Sequence, residues 1–389
     1  MRTYVEGQLG PLERKSIEPI ADAAGVSPRN LQEFLSLLRW DEDGVRDRIQ
    51  LTVRTKHRGR ENVGIIDETS FHKQGAKTAC VQRQYCASRG KVDNCVISIH
   101  LAFANDQGFR TLIDSTLYLP EKTWHLNRSR CRTVGIPKEV VYRPYHDIAL
   151  EQVGRAQAND VPLDWICADE RYGAVPAFLA GLEARGLSYV VQVPATATGW
   201  TRCPEVWQTR EQAGAQGKRL RNYPHLALDA PAAKSVEEIA RHSYVMRKQP
   251  WVAFRVKETE KGPEVWEARI CPFFQNRDGL PSKPLELFVV RHVLDGTLKY
   301  FLVDAPENTS LETKMRVGFM RWNVERCFED EKGRIGMNHF EVRRYLSVKR
   351  HLVVSMLSHL FLAEQHARLR GEKPAPHDLP GPSGHRRAV

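Results

Sequence analysis

The stretch Arg321-Trp-Asn-Val-Glu325-Arg-Cys-Phe-Glu-Asp-Glu-Lys332 decides how the rest of the chain is read. Its spacing predicts a helix on which Arg321, Glu325 and Lys332 share one face, being four and then seven residues apart. Val317, Met320, Val324, Cys327 and Phe328 make an adjoining apolar stripe that can pack on a core. A carboxylate thus stands between two cations beside a buried surface. That suits a divalent metal and a phosphate at the rim of a sheet. The same residues also fit a plain exposed helix with i,i+4 charge pairs, so the decision rests on what precedes them.

Two aspartates close apolar runs that predict strands: Asp67 after Val63-Gly-Ile-Ile66 and Asp169 after Trp165-Ile-Cys-Ala168. A carboxylate at a strand end lies at the rim of a sheet, where a ligand can reach it. Either one alone also serves as a turn-former or helix cap. With Glu325 they make three hard oxygen donors from separate elements, a set suited to Mg²⁺. Two such ions can activate an attacking oxygen and stabilise the leaving one in an in-line displacement.

Outward from these residues, 1–58 is expected to be all-helical. A helix is predicted over Pro11–Ala24, stopped by Gly25, and a second over Arg29–Leu38, started by Ser27-Pro28. Ile20 to Phe34 resembles a helix-turn-helix, although two helices on a glycine turn also occur in plain bundles. Arg54, Lys56, His57, Arg58 and Arg60 read as a basic connector for phosphates. Strands at Asn62–Ile66, Val92–Phe103 and Phe109–Leu119, the last two turning at Asp106-Gln-Gly108, predict an antiparallel meander.

A polar loop over 120–142 precedes a helix at Tyr145–Ala158. The alternation of strand, helix (Ala174–Arg185) and strand (Leu187–Val193) around Asp169 then predicts parallel strands with a crossover. From about 195 the texture is β-rich, with a short helix at Val236–Arg241. Strands follow at Trp251–Lys257, Val265–Pro272, Leu285–Leu294 and Leu298–Val303, with turns at Lys261-Gly-Pro263 and Asp295-Gly296. Helices return at Leu311–Ile335 and Val342–Arg370, before a proline-rich tail.

At 389 residues the chain can build more than one core, and its formal charge of +11 favours a polyanionic partner. It has no apolar run long enough to span a membrane. Its first residues carry no apolar signal segment, so secretion by that route is not expected. The eight scattered cysteines, with no CxxC pair, argue for reduced thiols in a cytoplasm, with Cys167 and Cys327 in the core.

The order of strand-Asp67, meander, strand-Asp169, β-rich insertion and helix-Glu325 resembles an RNase H-like DDE transposase of the bacterial insertion-sequence kind. The large insertion before the glutamate matches the branch that carries a Tyr-x₂-Arg-x₃-Glu-x₆-Lys signature. Arg321, Glu325 and Lys332 fit its last three positions, and Gly318 departs from the tyrosine, with Phe319 beside it as a substitute. Asp67-Glu-Thr-Ser-Phe-His-Lys-Gln-Gly75, Arg83-Gln-Tyr-Cys86 and Gly90-Lys-Val-Asp-Asn-Cys95 also look like the group's first-Asp block. The similarity covers about residues 60 to 365.

The resemblance implies an α/β fold: a mixed five-stranded RNase H-like sheet with flanking helices, interrupted by a β-rich insertion and preceded by a helical domain. It places DNA binding in 1–58, the catalytic core in 59–194 and 306–370, the insertion in 195–305 and a disordered tail in 371–389. By that likeness Asp67, Asp169 and Glu325 are catalytic and hold two Mg²⁺ ions, with Mn²⁺ able to substitute. Glu329 is the alternative third ligand. Cut-and-paste transposition would follow, by cleavage at transposon ends and strand transfer into target DNA.

Arg321 and Lys332 would grip phosphates near the cut, Arg as a fork and Lys as a point charge. Arg343, Arg344, Lys349, Arg54 and Arg58 are expected to face DNA, together with Arg350 and His351 on the edge of the last helix. Trp251 and Trp266 would stack on an extruded base, or else are core aromatics. His72 and His100 are expected to be structural. The partners implied are double-stranded DNA, as terminal inverted repeats and target, and a second copy in a homodimer, in a bacterial cytoplasm at the nucleoid. A nuclease or resolvase on the same fold, and a domesticated DNA-binding derivative without catalysis, are the rival readings.

Overall fold

A computed structural model describes residues 1–211, 221–259 and 262–371. The chain begins with four helices: α1 (Arg2–Leu9), α2 (Ile17–Ala23), α3 (Pro28–Ser36) and α4 (Glu42–Lys56). The helix expected over Pro11–Ala24 is shorter at its start, beginning only at Ile17. Before it, Lys15 is buried with its ammonium donating to the carbonyls of Gln8 and Arg334, which holds that segment out of helical geometry. Gly25 turns the chain with φ +64°, which only glycine adopts without strain, and Ser27 Oγ accepts from Arg29 N at 3.3 Å to start α3. Arg54 and Lys56 lie within the last turn of α4 and not in a connector.

Strands β1 (Asn62–His72), β2 (Gln82–Cys86), β3 (Lys91–Asn105) and β4 (Arg110–Leu117) follow. Then come α5 (Arg128–Thr133), α6 (Tyr145–Ala158), β5 (Trp165–Ala168), α7 (Glu170–Gly173), α8 (Pro176–Glu183) and β6 (Ser188–Val193). The loop expected over 120–142 is partly helical, through α5 and a π-turn at Glu121–His125, whose Trp124 is buried and donates to Val81 O. Within the sheet β4, β3 and β1 are antiparallel neighbours, while β1, β5 and β6 run parallel. Val63, Ile65 and Ile66 are buried in succession, as a strand covered on both faces requires. Strand β1 continues past Asp67 to His72; what ends at Ile66 is its pairing with β5.

The β-rich stretch consists of β7 (Thr198–Trp200), β8 (Val206–Glu211), β9 (Arg221–Leu226), β10 (Lys234–Ser235), α9 (Val236–His242), α10 (Tyr244–Arg247), β11 (Val252–Thr259), β12 (Gly262–Arg277), β13 (Leu280–Pro281), β14 (Leu285–His292) and β15 (Leu298–Asp304). Most of these strands extend the sheet already formed. Strand β15 pairs antiparallel with β6, β14 with β15, and β12 with β14, so one 13-stranded sheet crosses the molecule. Strands β8 and β9 form a separate ribbon.

The helix expected over Leu311–Ile335 divides into α11 (Leu311–Met320) and α12 (Trp322–Asp330), joined at Arg321, and then a π-turn at Glu331–Ile335. The last helix, α13 (Tyr345–Gly371), begins after Arg343 and Arg344, which were expected on it. Tyr4, Ile20, Leu31, Phe34 and Leu35 form a core shared with Val354 of α13, so the N-terminal helices are packed onto the C-terminal one. Apart from Gly371, the tail expected to be disordered lies outside the described residues. Among the described residues no helix is long and apolar enough to cross a membrane. All eight cysteines are free, with Cys167 and Cys327 fully buried as expected.

Candidate active site

Strands β1 and β5 run parallel as far as the pair Ile66 and Ala168, and Asp67 and Asp169 are the next residues on each. Their backbones therefore leave the ladder side by side, and the Asp169 carboxylate adds to the negative charge felt by both Asp67 and Glu68. The Asp169 carboxylate accepts from Arg171 N at 3.0 Å and so caps α7, which makes the helix-cap reading and the rim position hold together. Glu68 meets Arg171 Nε at 3.0 Å and accepts from Tyr172 Oη at 3.2 Å. It thereby ties the turn after Asp169 to β1. The sequence signal for this clamp is the Arg-Tyr pair two and three residues beyond a capping aspartate.

The α11–α12 junction brings the third element to the same strand. Arg321 Nη2 donates to Glu325 at 2.7 Å, and its Nη1 lies 3.6 Å from Asp67 Oδ2. Farther along, Lys332 Nζ is 2.5 Å from Thr69 Oγ1, on the β1 residue that shares a face with Asp67. The face carrying Arg321, Glu325 and Lys332 is therefore applied to β1. Gly318 is buried, and a Cβ there would stand 3.1 Å from Val190 Cγ1. A tyrosine at that position would collide with β6, which is why α11 carries glycine there. Phe319 does not replace it, because its ring packs 5.3 Å from that of Trp266.

Burial and then the charges of Glu68 and Asp169 push the Asp67 carboxyl up to about 7, against the pull of Arg321. Glu68 is also raised, by burial first. Lys332 is lowered, again by burial. Asp67 and Asp169 offer only oxygen donors, from neighbouring strand ends. Asp67 and Asp169 thus fit a hard divalent cation. Among the described residues no three His, Cys, Asp or Glu side chains converge closely enough to hold one ion together. Glu325 is instead linked to Asp67 through Arg321.

Other predicted residues disperse. Arg58, Arg343 and Arg344 are exposed, and Arg54 is ion-paired with Asp160 at 3.0 Å. Four placements differ from the DNA-facing expectation. Lys349 is half-buried against Glu42 and Asp43, at 3.2 and 3.1 Å. Arg350 is buried and donates to the carbonyls of Leu38 and Trp40, while fully buried His351 bonds Tyr4. These groups fasten the N-terminal helices to α13 and present no edge to DNA. Trp266 is a core residue with its indole N–H on Glu264, not a platform for a base.

Trp251 is half-buried between the guanidinium groups of Arg269 and Arg291, each 4.3 Å from its ring. His100 is fully buried against Phe328, and burial followed by the charge of Lys332 lowers it to about 3. His72 pairs with Asp93. Glu329 is bound to Arg326 at 2.8 Å. A groove of about 860 Å³ beside α11 and α12 is lined by Arg110, Arg255, Arg316, Arg326, Phe254 and Trp322 among others.

Residues 1–263 match the family model described as DDE superfamily endonuclease. The chain belongs to that family. DDE superfamily endonucleases work with divalent metal ions, in keeping with the oxygen donors at the β1 and β5 ends. The chain is also 28% identical over 190 residues to a protein of Microchaete diplosiphon described as a probable transposase for insertion sequence element IS701. That alignment covers 48% of this chain and 46% of the relative, so the chain spans about half the length of the relative it matches. The family match ends before Arg321, and the late helix thus joins the site on geometry alone.

Proposed function

We propose that this DDE endonuclease is the transposase of an insertion sequence, acting on double-stranded DNA at the element's ends by a cut-and-paste route. The observation that carries the reading is Arg321, whose guanidinium links Asp67 of β1 to Glu325 of α12 beside the capping Asp169. The strand order β4-β3-β1-β5-β6, antiparallel and then parallel, supports an RNase H-like core. On that reading 59–194 and 306–370 form the core, 195–305 is an insertion whose strands continue its sheet, and 1–58 binds DNA through α2 and α3. The outward Arg29, Asn30 and Gln32 of α3 are then its reading face.

Asp67, Asp169 and Glu325 would hold Mg²⁺. Bound there, the metal would supply an activated water and charge stabilisation at the phosphate. The chain's own residues do the rest. Asp67 gives up its proton as a cation arrives. Arg321 is placed to fork onto a phosphate, Lys332 offers a point charge beside Thr69, and Glu68 fixes the Asp169 turn. The basic groove beside α12 would carry the flanking DNA. The protein would work as a homodimer on paired ends, since excision joins two of them.

The deciding experiment is excision in cells of a marker flanked by the element's own ends. Wild type is compared with Asp169→Ala and Glu325→Gln at matched protein levels. Excision by wild type and by neither variant is expected; normal excision by both would overturn the site. Joining of a 3′-hydroxyl to target DNA by purified protein separates a transposase from a nuclease. End binding without cleavage in Mg²⁺ would mark a regulator.

A further inference from the structure

A second concentration of positive charge lies on the opposite face of the sheet from α11. Side chains alternate along β12, and Trp266 points to Phe319 of α11, so Arg269, three residues on, points the other way. There the indole of Trp251 is met by both Arg269 and Arg291, each guanidinium 4.3 Å from the ring. Arg247, at the end of α10, is exposed on the same face, followed by exposed Lys248 over the ring of Tyr244.

The charges are poorly balanced. Glu267 is the carboxylate at hand, and it is taken by Arg291, at 2.5 Å. Among the described residues no carboxylate forms an ion pair with Arg247 or Arg269, and the buried Arg269 Nε has no hydrogen-bond partner. Burial first, then the nearness of Arg291 and, less, of Arg247, lowers the Arg269 guanidinium against the pull of Glu267, so Arg269 feels both other cations. Folding has brought like charges together and fixed two of them on an aromatic plane. An anion bridging the guanidinium forks relieves that repulsion, and a phosphodiester has the right shape. Arg247 and Lys248 are exposed at the rim of the patch, which suits a polymer backbone running across it. Tyr244 at its margin is 69% exposed.

We propose that Arg247, Arg269 and Arg291, arrayed around Trp251, bind backbone phosphates of a second stretch of duplex DNA, away from the scissile phosphate. The assignment of the duplex as DNA rests on the transposase reading; the anion site rests on the side chains. Because the patch and α11 lie on opposite faces, a short duplex seated at Asp67 does not reach it. A longer duplex, or a second one, does.

The test uses full-length protein and two duplexes, a short one spanning only the cleavage position and a long one continuing well beyond it. Arg247→Gln is compared with the variant Arg269→Gln/Arg291→Gln/Glu267→Gln, which keeps the patch hydrogen-bonding but removes two of its three cations together with their carboxylate, and with Arg247→Lys. For the long duplex this triple variant should bind about tenfold more weakly, and its salt slope should be shallower by about 2. Short-duplex affinity and nicking should stay at the wild-type level, and Arg247→Lys should keep most of the slope. An unchanged slope on the long duplex overturns the proposal. So does an equal loss on both duplexes with a lowered melting temperature, which would make the cluster structural. Loss of self-association with an unchanged slope would assign the patch to a protein neighbour and overturn it too. If wild type shows no salt-dependent duplex binding, the transposase reading falls. In that case a charge-dependent affinity for inorganic polyphosphate decides the anion site separately.

Discussion

The Arg321 guanidinium stands 3.6 Å from the Asp67 carboxylate, and through it a late helix is held to the central strand of the sheet. Arg321 spans that gap and reaches Glu325 at the same time, so it occupies the ground between two proposed metal-binding carboxylates. A planar fork can do this and then turn to a phosphate; a lysine ammonium is a compact point charge on a flexible stem, without the paired donors of the fork. Arg321→Lys is therefore expected to slow end nicking by about tenfold or more while leaving the melting temperature near wild type. Single-turnover nicking on a pre-bound end measures it, and an unchanged rate would remove Arg321 from the chemistry.

Loss of any of Asp67, Asp169 or Glu325 should cost far more. A catalytic metal contributes several kcal/mol, so Asp67→Asn, Asp169→Ala and Glu325→Gln should each lower nicking by at least about a hundredfold. End binding should be retained in a gel-shift assay. Activity lost in EDTA and regained with Mg²⁺ or Mn²⁺ would accompany this in wild type alone.

Asp67 also makes stability depend on pH in a definite direction. Its carboxyl is raised from 3.8 to about 7 in the folded protein. Between those values the unfolded chain has released a proton that the folded one keeps. Stability from this group is therefore greatest at low pH, falls as pH rises across that window and is level above it. Without divalent metal, Asp67→Asn should melt above wild type at pH 8, and the gap should be much smaller at pH 5. Adding Mg²⁺ at pH 8 should raise the wild-type melting temperature and not the variant's. A gap that is the same at both pH values would show that Asp67 is not held protonated.

Gly318 offers a packing test. Its missing Cβ would stand 3.1 Å from Val190, so Gly318→Ala should destabilise by about 1 kcal/mol and Gly318→Tyr should prevent native packing of α11 on β6. Thermal melts of the two variants decide it, and restored activity in the tyrosine variant would refute the steric account.

Lys349 and Arg350 are expected to matter for folding and little for DNA. Arg350→Met removes a buried donor from the Leu38 and Trp40 carbonyls and leaves Glu42 less well paired, a loss of roughly 2–4 kcal/mol. Limited proteolysis should then cut between α3 and α4. Lys349→Ala should change end affinity less than Arg343→Ala does; the opposite order would return Lys349 to the DNA surface.

The parts of this site that were legible in the sequence are those where local pattern and chemistry coincide. Asp67 and Asp169 follow apolar runs with the texture of buried parallel strands, and Arg321, Glu325 and Lys332 keep helical spacing. What escaped depends on which partner a side chain meets. Charge alone does not tell that Lys349 finds Glu42 and Asp43 of α4, or that Arg350 finds carbonyls far back in the chain. Trp251 and Trp266 look alike in sequence, yet alternation puts one between arginines and the other in the core. The β-rich stretch read as a separate insertion because strand pairing is non-local. Nothing near Leu298–Asp304 announces that it will bond to Ser188–Val193. Glu68 was visible only as one acid among several, and its role appears once Arg171 and Tyr172 are seen to reach it.

The packing of α1 to α3 on α13 also bears on the order in which the chain can be made. Tyr4, Ile20, Phe34 and Leu35 complete their core only with Val354, and Gln8 finds its hydrogen-bond partners in Ser355 and Ser358. During synthesis α1 to α3 must therefore wait for α13, more than 300 residues later in the sequence, before their core can close. A nascent chain carries its amino-terminal helices without their apolar cover until α13 is free of the exit tunnel, and a truncated product never covers them. A chain that stops short of α13 thus leaves Tyr4, Ile20, Phe34 and Leu35 without the cover of Val354, an apolar surface open to aggregation or proteolysis.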